Sequence, residues 1–401
     1  MTQRRRVLLC CEQYPPSVGG VQEVMRQIAE RLAARGHDVW VATGSHPHRS
    51  TDTMVNGVRV VSFPISGNRV KGLSGPVAEY QKFLKEGAFD SILIKAAQQW
   101  TFDAAVDALP LVNAKKVFIP CGFSGLHDPR YRTYFGEMPQ WLHLFDQLVF
   151  YASDYQDINF ARQHGLTNLK LVPNGIDERE FSELNDRGIR TLLGIPPGND
   201  LLLSVGSRIM AKGHWEVIEA FRLARLDRPT TLVLNGNPPQ SGLLSTLKRA
   251  VKHAMRGRWP LTWEAALASR LSRKQVLVTD LPRAELLALF SAADLFLFAS
   301  HVEYSPLVLF EAAASGTSFI ASNVGNSREI ANWTGGGHII DQCTLGDQAP
   351  VTEVFARAME SALADRSKLR SEGLKARQKI FENGFTWAKI VETYADVLGL
   401  T

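Results

Sequence analysis

Short, nearly uninterrupted apolar runs alternate with amphipathic stretches along most of the chain, and this rhythm constrains the fold more than any other feature. In the first half the candidate strands are Val7–Cys10, Val39–Thr43, Val58–Phe63, Ser91–Lys95, Val117–Pro120, Gln147–Tyr151 and Leu169–Pro173. A strand that is apolar on both faces has to be covered on both, which suits parallel strands packed between helices. Between the first two runs, Val21, Val24, Met25, Ile28 and Leu32 share one helical face, and Gly36 ends it. The second half repeats the pattern with Leu201–Val205, Thr231–Leu234, Val276–Thr279, Leu295–Ala299, Ser318–Ala321 and His338–Ile340. Two successive βαβ arrays predict an α/β protein with two doubly wound sheets. The length of 401 residues agrees, because it exceeds what one hydrophobic core usually supports. The boundary is expected in Pro173–Phe181 or in the polar stretch that follows to Asn199, and after about residue 350 only helical patterns remain.

Composition removes several classes. Hydrophobic residues at 45% and charged residues at 21% describe an ordinary globular protein rather than a disordered one. No run approaches the roughly 18–20 apolar residues of a membrane span. Behind the basic start, Val7 to Cys11 is too short for a signal-peptide core, so a buried first strand is expected. The 4 cysteines include no CxxC spacing, which argues against a disulfide framework or a redox pair and makes a reducing cytoplasm the expected location. The net charge of +5 is unevenly placed: residues 241–275 hold eight Lys or Arg against Glu264 alone.

Ligands of open α/β sheets bind beyond the carboxyl ends of the strands. After the first strand, Gly19-Gly20 leads straight into a helix, where backbone can approach an anion closely, or simply turn tightly. After Leu201–Val205 the sequence reads Gly206-Ser207-Arg208-Ile209-Met210-Ala211-Lys212-Gly213. Its two cations, four apart, suit a diphosphate, although they also fit a solvated pair. The strongest segment follows the strand ending near Ser300. Ser305 reads as an N-cap and Pro306 as the first helical residue, with Glu303 in the loop and Glu311 inside the helix. Two carboxylates framing one phosphate-accepting helix start are more than a capped buried helix requires.

The Glu303-x7-Glu311 pair, the downstream Ser315-Gly316, Gly325 and Glu329, Lys212-Gly213, the Gly19-Gly20 loop and the Pro173-Asn174-Gly175-Ile176-Asp177 run together resemble the family 4 retaining glycosyltransferases. The resemblance implies a GT-B fold: two Rossmann-like domains facing a central cleft, 1–180 for the acceptor and 181–380 for a nucleotide-sugar donor, with a helix in 381–401 returning to the first. By motif, Lys212 would contact the donor diphosphate and Arg208 would assist it. Glu311 would bind the ribose, Glu303 would face the donor sugar, and Ser305 with the N–H groups of Leu307 and Val308 would serve the donor phosphates. Gly19 and Gly20 would close over the donor. The family commonly places Arg where Ser207 stands, Gly where Pro306 stands, and His in the stretch that here reads Gln98-Gln99. Gln98, Gln99 and His127 are therefore the candidate sugar or acceptor contacts. No Asp-x-Asp occurs, which fits a reaction without a metal or other cofactor.

Leu244, Leu247, Val251 and Met255 recur at helical spacing beside Lys248, Lys252 and Arg256, and Trp259 and Trp263 follow. Such a segment suits an anionic membrane surface, through residues 244–263, or a helix packed on the domain with a charged outer face. Nothing in it resembles a nucleic-acid recognition motif. The sequence thus predicts a retaining glycosyltransferase acting on a carbohydrate or lipid-linked acceptor, cytoplasmic or peripheral on the inner face of the cell membrane. The alternatives are a non-catalytic nucleotide-sugar-binding partner protein and a GT-B epimerase or phosphorylase.

Overall fold

The structure is a computed structural model and describes residues 3–183, 186, 188–238, 259–272, 274–341 and 350–401. The chain divides into two compact units, Met1–Asp177 together with Phe385–Thr401, and Glu178–Gly384.

The strands of the first unit are β1 (Arg6–Cys10), β2 (Asp38–Gly44), β3 (Asp52–Val55), β4 (Val58–Phe63), β5 (Ser66–Asn68), β6 (Gly72–Ser74), β7 (Ser91–Lys95), β8 (Lys115–Ile119), β9 (Gln147–Phe150) and β10 (Leu169–Leu171). Eight of them form one sheet in the order β10-β9-β8-β7-β1-β2-β4-β3, and β5 and β6 form a separate hairpin. Every pair in the large sheet is parallel except β3–β4. Leu8, Cys10, Ile92, Ile94 and Phe118 are buried in its core, as the unbroken apolar runs require.

The strands β3, β5 and β6 are the ones the apolar pattern misses. β3 is an edge strand of exposed and half-buried residues joined to β4 through Asn56-Gly57, both at positive φ (49° and 81°). A two-residue Asn-Gly turn is the preferred connection for a tight hairpin, so a signal for this strand was present. The β5–β6 hairpin has glycine at Gly67 and Gly72 and only three residues on each side, too few for a periodicity.

The second unit has β11 (Asp200–Val205), β12 (Thr230–Asn235), β13 (Gln275–Thr279), β14 (Leu295–Phe298), β15 (Phe319–Ser322) and β16 (Gly337–Ile340). They are parallel throughout, in the order β13-β12-β11-β14-β15-β16. After residue 350 come the helices Val351–Ala364, Arg366–Glu382 and Trp387–Leu398. The last of these lies in the first unit. It packs on the helix Gly20–Ala34, and Trp387 N donates to Ile176 O while Ile176 N donates to Phe385 O.

In each sheet the strand order reverses at one point. In the first unit β1, β2 and β4 run outward on one side of the β1/β7 boundary and β7 to β10 on the other, and in the second β11 to β13 and β14 to β16 part at β11/β14. The connections leaving the two strands at such a boundary go to opposite faces and open a crevice at their carboxyl ends.

Candidate active site

The crevice of the second unit holds the segments that follow β11 and β14. Beyond β11 the chain makes a loop and a short 3-10 turn, Met210–Lys212, and enters the helix His214–Leu223 through Gly213. Gly213 has φ +68°, and a Cβ there would sit 1.9 Å from the carbonyl oxygen of Ala299, so only glycine fits between the turn and the end of β14. Two further links bind the loops: His301 N donates to Ala211 O at 2.8 Å, and Ser300 Oγ lies 2.9 Å from the same oxygen.

This stitching brings Lys212 and Glu303 together. Lys212 Nζ donates to Glu303 Oε1 at 2.5 Å, and Ser300 Oγ lies 3.1 Å from that carboxylate oxygen. The pair spans the strand-order reversal, one partner from each side, with both side chains largely covered. Arg208 stands on the same loop. Its backbone N donates to Asn237 O, and its Nε, buried, has no hydrogen-bond partner among the described residues. His214 braces the loop from below: its Nε2 is 2.9 Å from Gly206 O and its Nδ1 3.4 Å from Ser204 Oγ.

The helix that closes the crevice is Leu307–Ala314. Its N-cap is Pro306, not Ser305, and Pro306 at ψ 113° lies outside the helix rather than in its first turn. Pro306 itself takes the extended backbone of a cap, so the helix starts one residue later than the sequence reading and Ser305 falls outside the capping position. Leu307 and Val308 are consequently the first two helical residues, whose N–H groups have no acceptor within the helix and are open to an anion. Ser305 stands two residues before this start. Gly325, at φ +55°, lets the next loop press on the same segment, since a Cβ there would come within 2.3 Å of Tyr304 O. Glu329 lies in the first turn of the adjoining helix Ser327–Thr334.

Glu311 is on the inner side of the helix, and its Oε1 is 2.7 Å from Arg283 NH2. Arg283 also pairs with Glu180 at 2.6 Å and lies over the Phe181 ring. The sequence reading had no part for Arg283, Glu180 or His214. Their partners are distant in sequence, and no periodicity announces them.

In the first unit, Glu12 stands just beyond β1. The exposed residues Val18, Gly19 and Gly20 lead into the helix Gly20–Ala34, whose N-cap is Gly19 in extended backbone. Across the reversal, β7 is followed by residues in unusual backbone: Ala96 and Gln98 have φ of 71° and 64°, and Cys121 and Phe123, after β8, have 65° and 48°. Four non-glycine residues at positive φ in two neighbouring strand exits mark a site built against local preference. Gln98 is pinned there. Its Oε1 accepts from Gly125 N at 3.1 Å and its N donates to Tyr134 OH at 2.8 Å. Gln99 has a buried Oε1 with no partner among the described residues, and His127 is exposed. Tyr134 OH donates to Asp103, whose carboxyl burial pushes above the usual range. Burial likewise raises Glu12, which feels Lys71 and Asp103. Below these loops Lys95 is fully buried with its Nζ on Tyr151 OH at 2.7 Å, and burial lowers its pKa.

The basic run between Leu244 and Arg258 lies outside the described residues, whereas Trp259 and Trp263 are described. Among the described residues no group of three or more His, Cys, Asp or Glu is arranged to hold a metal ion, and no helix is long and apolar enough to cross a membrane.

Two family models match the two halves of the chain. "Glycosyltransferase Family 4" takes in residues 18–180, and "Glycosyl transferases group 1" takes in residues 187–384. A glycogen synthase of Mycobacterium tuberculosis is 28% identical over 98% of this chain and 94% of its own. The lipopolysaccharide glucosyltransferase WaaG of Escherichia coli is 28% identical over 88% of this chain and 89% of its own. Among solved structures, Anabaena HepE in complex with UDP-glucose superposes with a TM-score of 0.71 at 16% identity, covering 99% of this chain and 100% of that one. With its two Rossmann-like halves and a matching model for each, the chain belongs to the family 4 glycosyltransferases of the GT-B fold.

Proposed function

We propose that this glycosyltransferase moves a sugar from a nucleoside-diphosphate sugar to a hydroxyl acceptor, with retention at the anomeric carbon and without a metal ion. The observation that carries the reading is the Lys212–Glu303 pair at the strand-order reversal of the second unit, beside the open N–H groups of Leu307 and Val308. The bond from the anomeric carbon to the diphosphate oxygen breaks with its electron pair on the leaving group, and the bond to the acceptor oxygen forms. The acceptor proton passes to the departing phosphate oxygen. Negative charge grows on that phosphate, where Lys212, Arg208 and the two amides supply fixed positive ends. Glu303 faces the sugar hydroxyls, and Glu311, steadied by Arg283, takes the ribose. On the acceptor side, Glu12 and Gln99 are the groups available to hydroxyls, with Gln98 holding their loop in shape.

The complex of HepE with UDP-glucose makes UDP-sugars the first donors to try. WaaG, named for lipopolysaccharide, supports surface polysaccharide or glycolipid assembly as the setting. The excess of cations in 241–275 adds an anionic membrane surface as the place where a lipid-linked acceptor is met.

The test is Glu303→Gln, assayed with UDP-, GDP-, ADP- and dTDP-sugars in chelator. The variant should keep nucleotide binding, read as a thermal shift, while sugar transfer falls at least about a hundredfold. A donor at 100 times its dissociation constant stabilises the unit that binds it by about 2.7 kcal/mol, enough to read. Wild-type turnover that needs a divalent cation, or undiminished transfer by the variant, overturns the reading.

A further inference from the structure

The helix Leu261–Ser272 is apolar on two opposite sides. One side packs inward: Leu261, Ala265 and Ala268 are buried in the core of the second unit. The other side carries Trp263, Leu267 and Leu271, four residues apart, exposed by 66%, 47% and 64%. Trp259, 58% exposed, extends the row, and its ring stacks on Trp263 with centroids 6.1 Å apart and planes 12° apart. The row is held rigidly at its head, where Trp215 Nε1 donates to Trp259 O at 2.9 Å and Trp259 N donates to Glu264 Oε1 at 3.0 Å. Single exposed apolar residues are normal, but three large ones in line on one helix with a fourth just before its start are not.

We infer that this face inserts into the head-group region of an anionic lipid bilayer. The charge of the surrounding sequence selects lipid over a protein partner. Arg258 adjoins Trp259, Arg270 lies exposed on the same helix, and 241–275 carries a net +7 in a chain whose total is +5. Tryptophan beside lysine and arginine is the pairing that anchors proteins at the membrane interface, the rings among head groups and the cations on anionic lipid. The inference rests on the membrane reading above and changes its basis. Charge brings the protein to the surface, and these four side chains hold it there, so binding outlasts salt that screens the cations.

Cosedimentation of the full chain with vesicles of phosphatidylglycerol and phosphatidylcholine separates the two ideas. Wild type, a charge variant (Lys248→Glu, Lys252→Glu, Arg256→Glu) and a face variant (Trp263→Ser, Leu267→Ser, Leu271→Ser) are compared. All three side chains of the face variant are exposed, so its thermal transition should match wild type. With every cation retained, its partitioning should fall about tenfold or more, the size expected when three large apolar side chains lose lipid contact. Wild-type tryptophan emission should shift to the blue on binding and be quenched by brominated lipid, and Trp259→Phe with Trp263→Phe should remove most of the quenching. If wild type binds and the face variant binds equally well, the face inference fails while the charge reading stands. If wild type does not bind anionic vesicles, both fail. A concentration-dependent dimer abolished by the face variant would overturn the inference in favour of a second copy of this chain.

Discussion

His214 is buried where the helix leaves Gly213, and its two ring nitrogens are both engaged. Nε2 faces a carbonyl that can only accept, so it carries the proton. Nδ1 then accepts from the Ser204 hydroxyl, which fixes a neutral ring. Burial moves its pKa below the ordinary 6.5. The unfolded chain therefore takes up a proton that the folded one refuses, and stability present above pH 6.5 is lost as the pH falls below it. The slope from this one group approaches about 1.4 kcal/mol per pH unit. His214→Gln should flatten the acid limb of the melting temperature of the second unit between pH 6.5 and 5, whatever it does to stability at pH 7.5. Parallel curves for the two proteins would refute the assignment. The consequence reaches the site, because a charged ring would repel Lys212 and Arg208 and turn a second donor toward the Ser204 hydroxyl, loosening the loop that carries both cations.

At the scale of elements, the helix Leu307–Ala314 and the helix Arg283–Ala292 are tied by Arg283, which holds Glu311 from one side and Glu180 from the other. If Glu311 receives the donor ribose, Arg283 is what points it. Arg283→Met should therefore raise the KM for donor about tenfold while kcat changes by less than about threefold. A fall in kcat with KM unchanged would place Arg283 elsewhere in the reaction. The same element scale explains what sequence makes legible. Long apolar strands and their order of appearance are written locally, so all thirteen expected strands appear in the structure, with ends displaced by a residue or two. Lys212, Glu303 and Glu311 follow strand ends or lie in the helix behind one, so position in the βαβ rhythm marks them too. Arg283 and His214 act through partners that only the folded chain brings near. The capping error at Ser305 is a shift of one residue: proline fixes φ alone, and its ψ of 113° makes Pro306 the cap where the sequence reading had it in the first turn. The exposed row on Leu261–Ser272 was legible only in part, because alternate apolar faces on one helix look like a single buried one.

For the whole molecule, the decisive feature is that the last seventeen or so residues complete the unit begun by the first. Trp387, Ile390, Val391, Tyr394, Val397 and Leu398 are all buried in it. At about 1.5–3 kcal/mol for each large side chain, their burial is of the order of the entire stability of a domain. A chain stopped at Gly384 should therefore lose the first unit altogether. Limited proteolysis should digest residues before 178 while a fragment near 178–384 survives, and calorimetry should retain one transition. Equal protease resistance of both halves would contradict this.

Sequential synthesis gives that return an order in time. The helix Trp387–Leu398 is made after every strand and helix of the second unit, so the half begun earliest is the last to have all its parts. Until Trp387–Leu398 is made and docked, the helix Gly20–Ala34 keeps a bare apolar side where it will lie. A chain broken off before Trp387 would then present that side to chaperones and proteases, so the docked helix Trp387–Leu398 certifies that everything before it has been made.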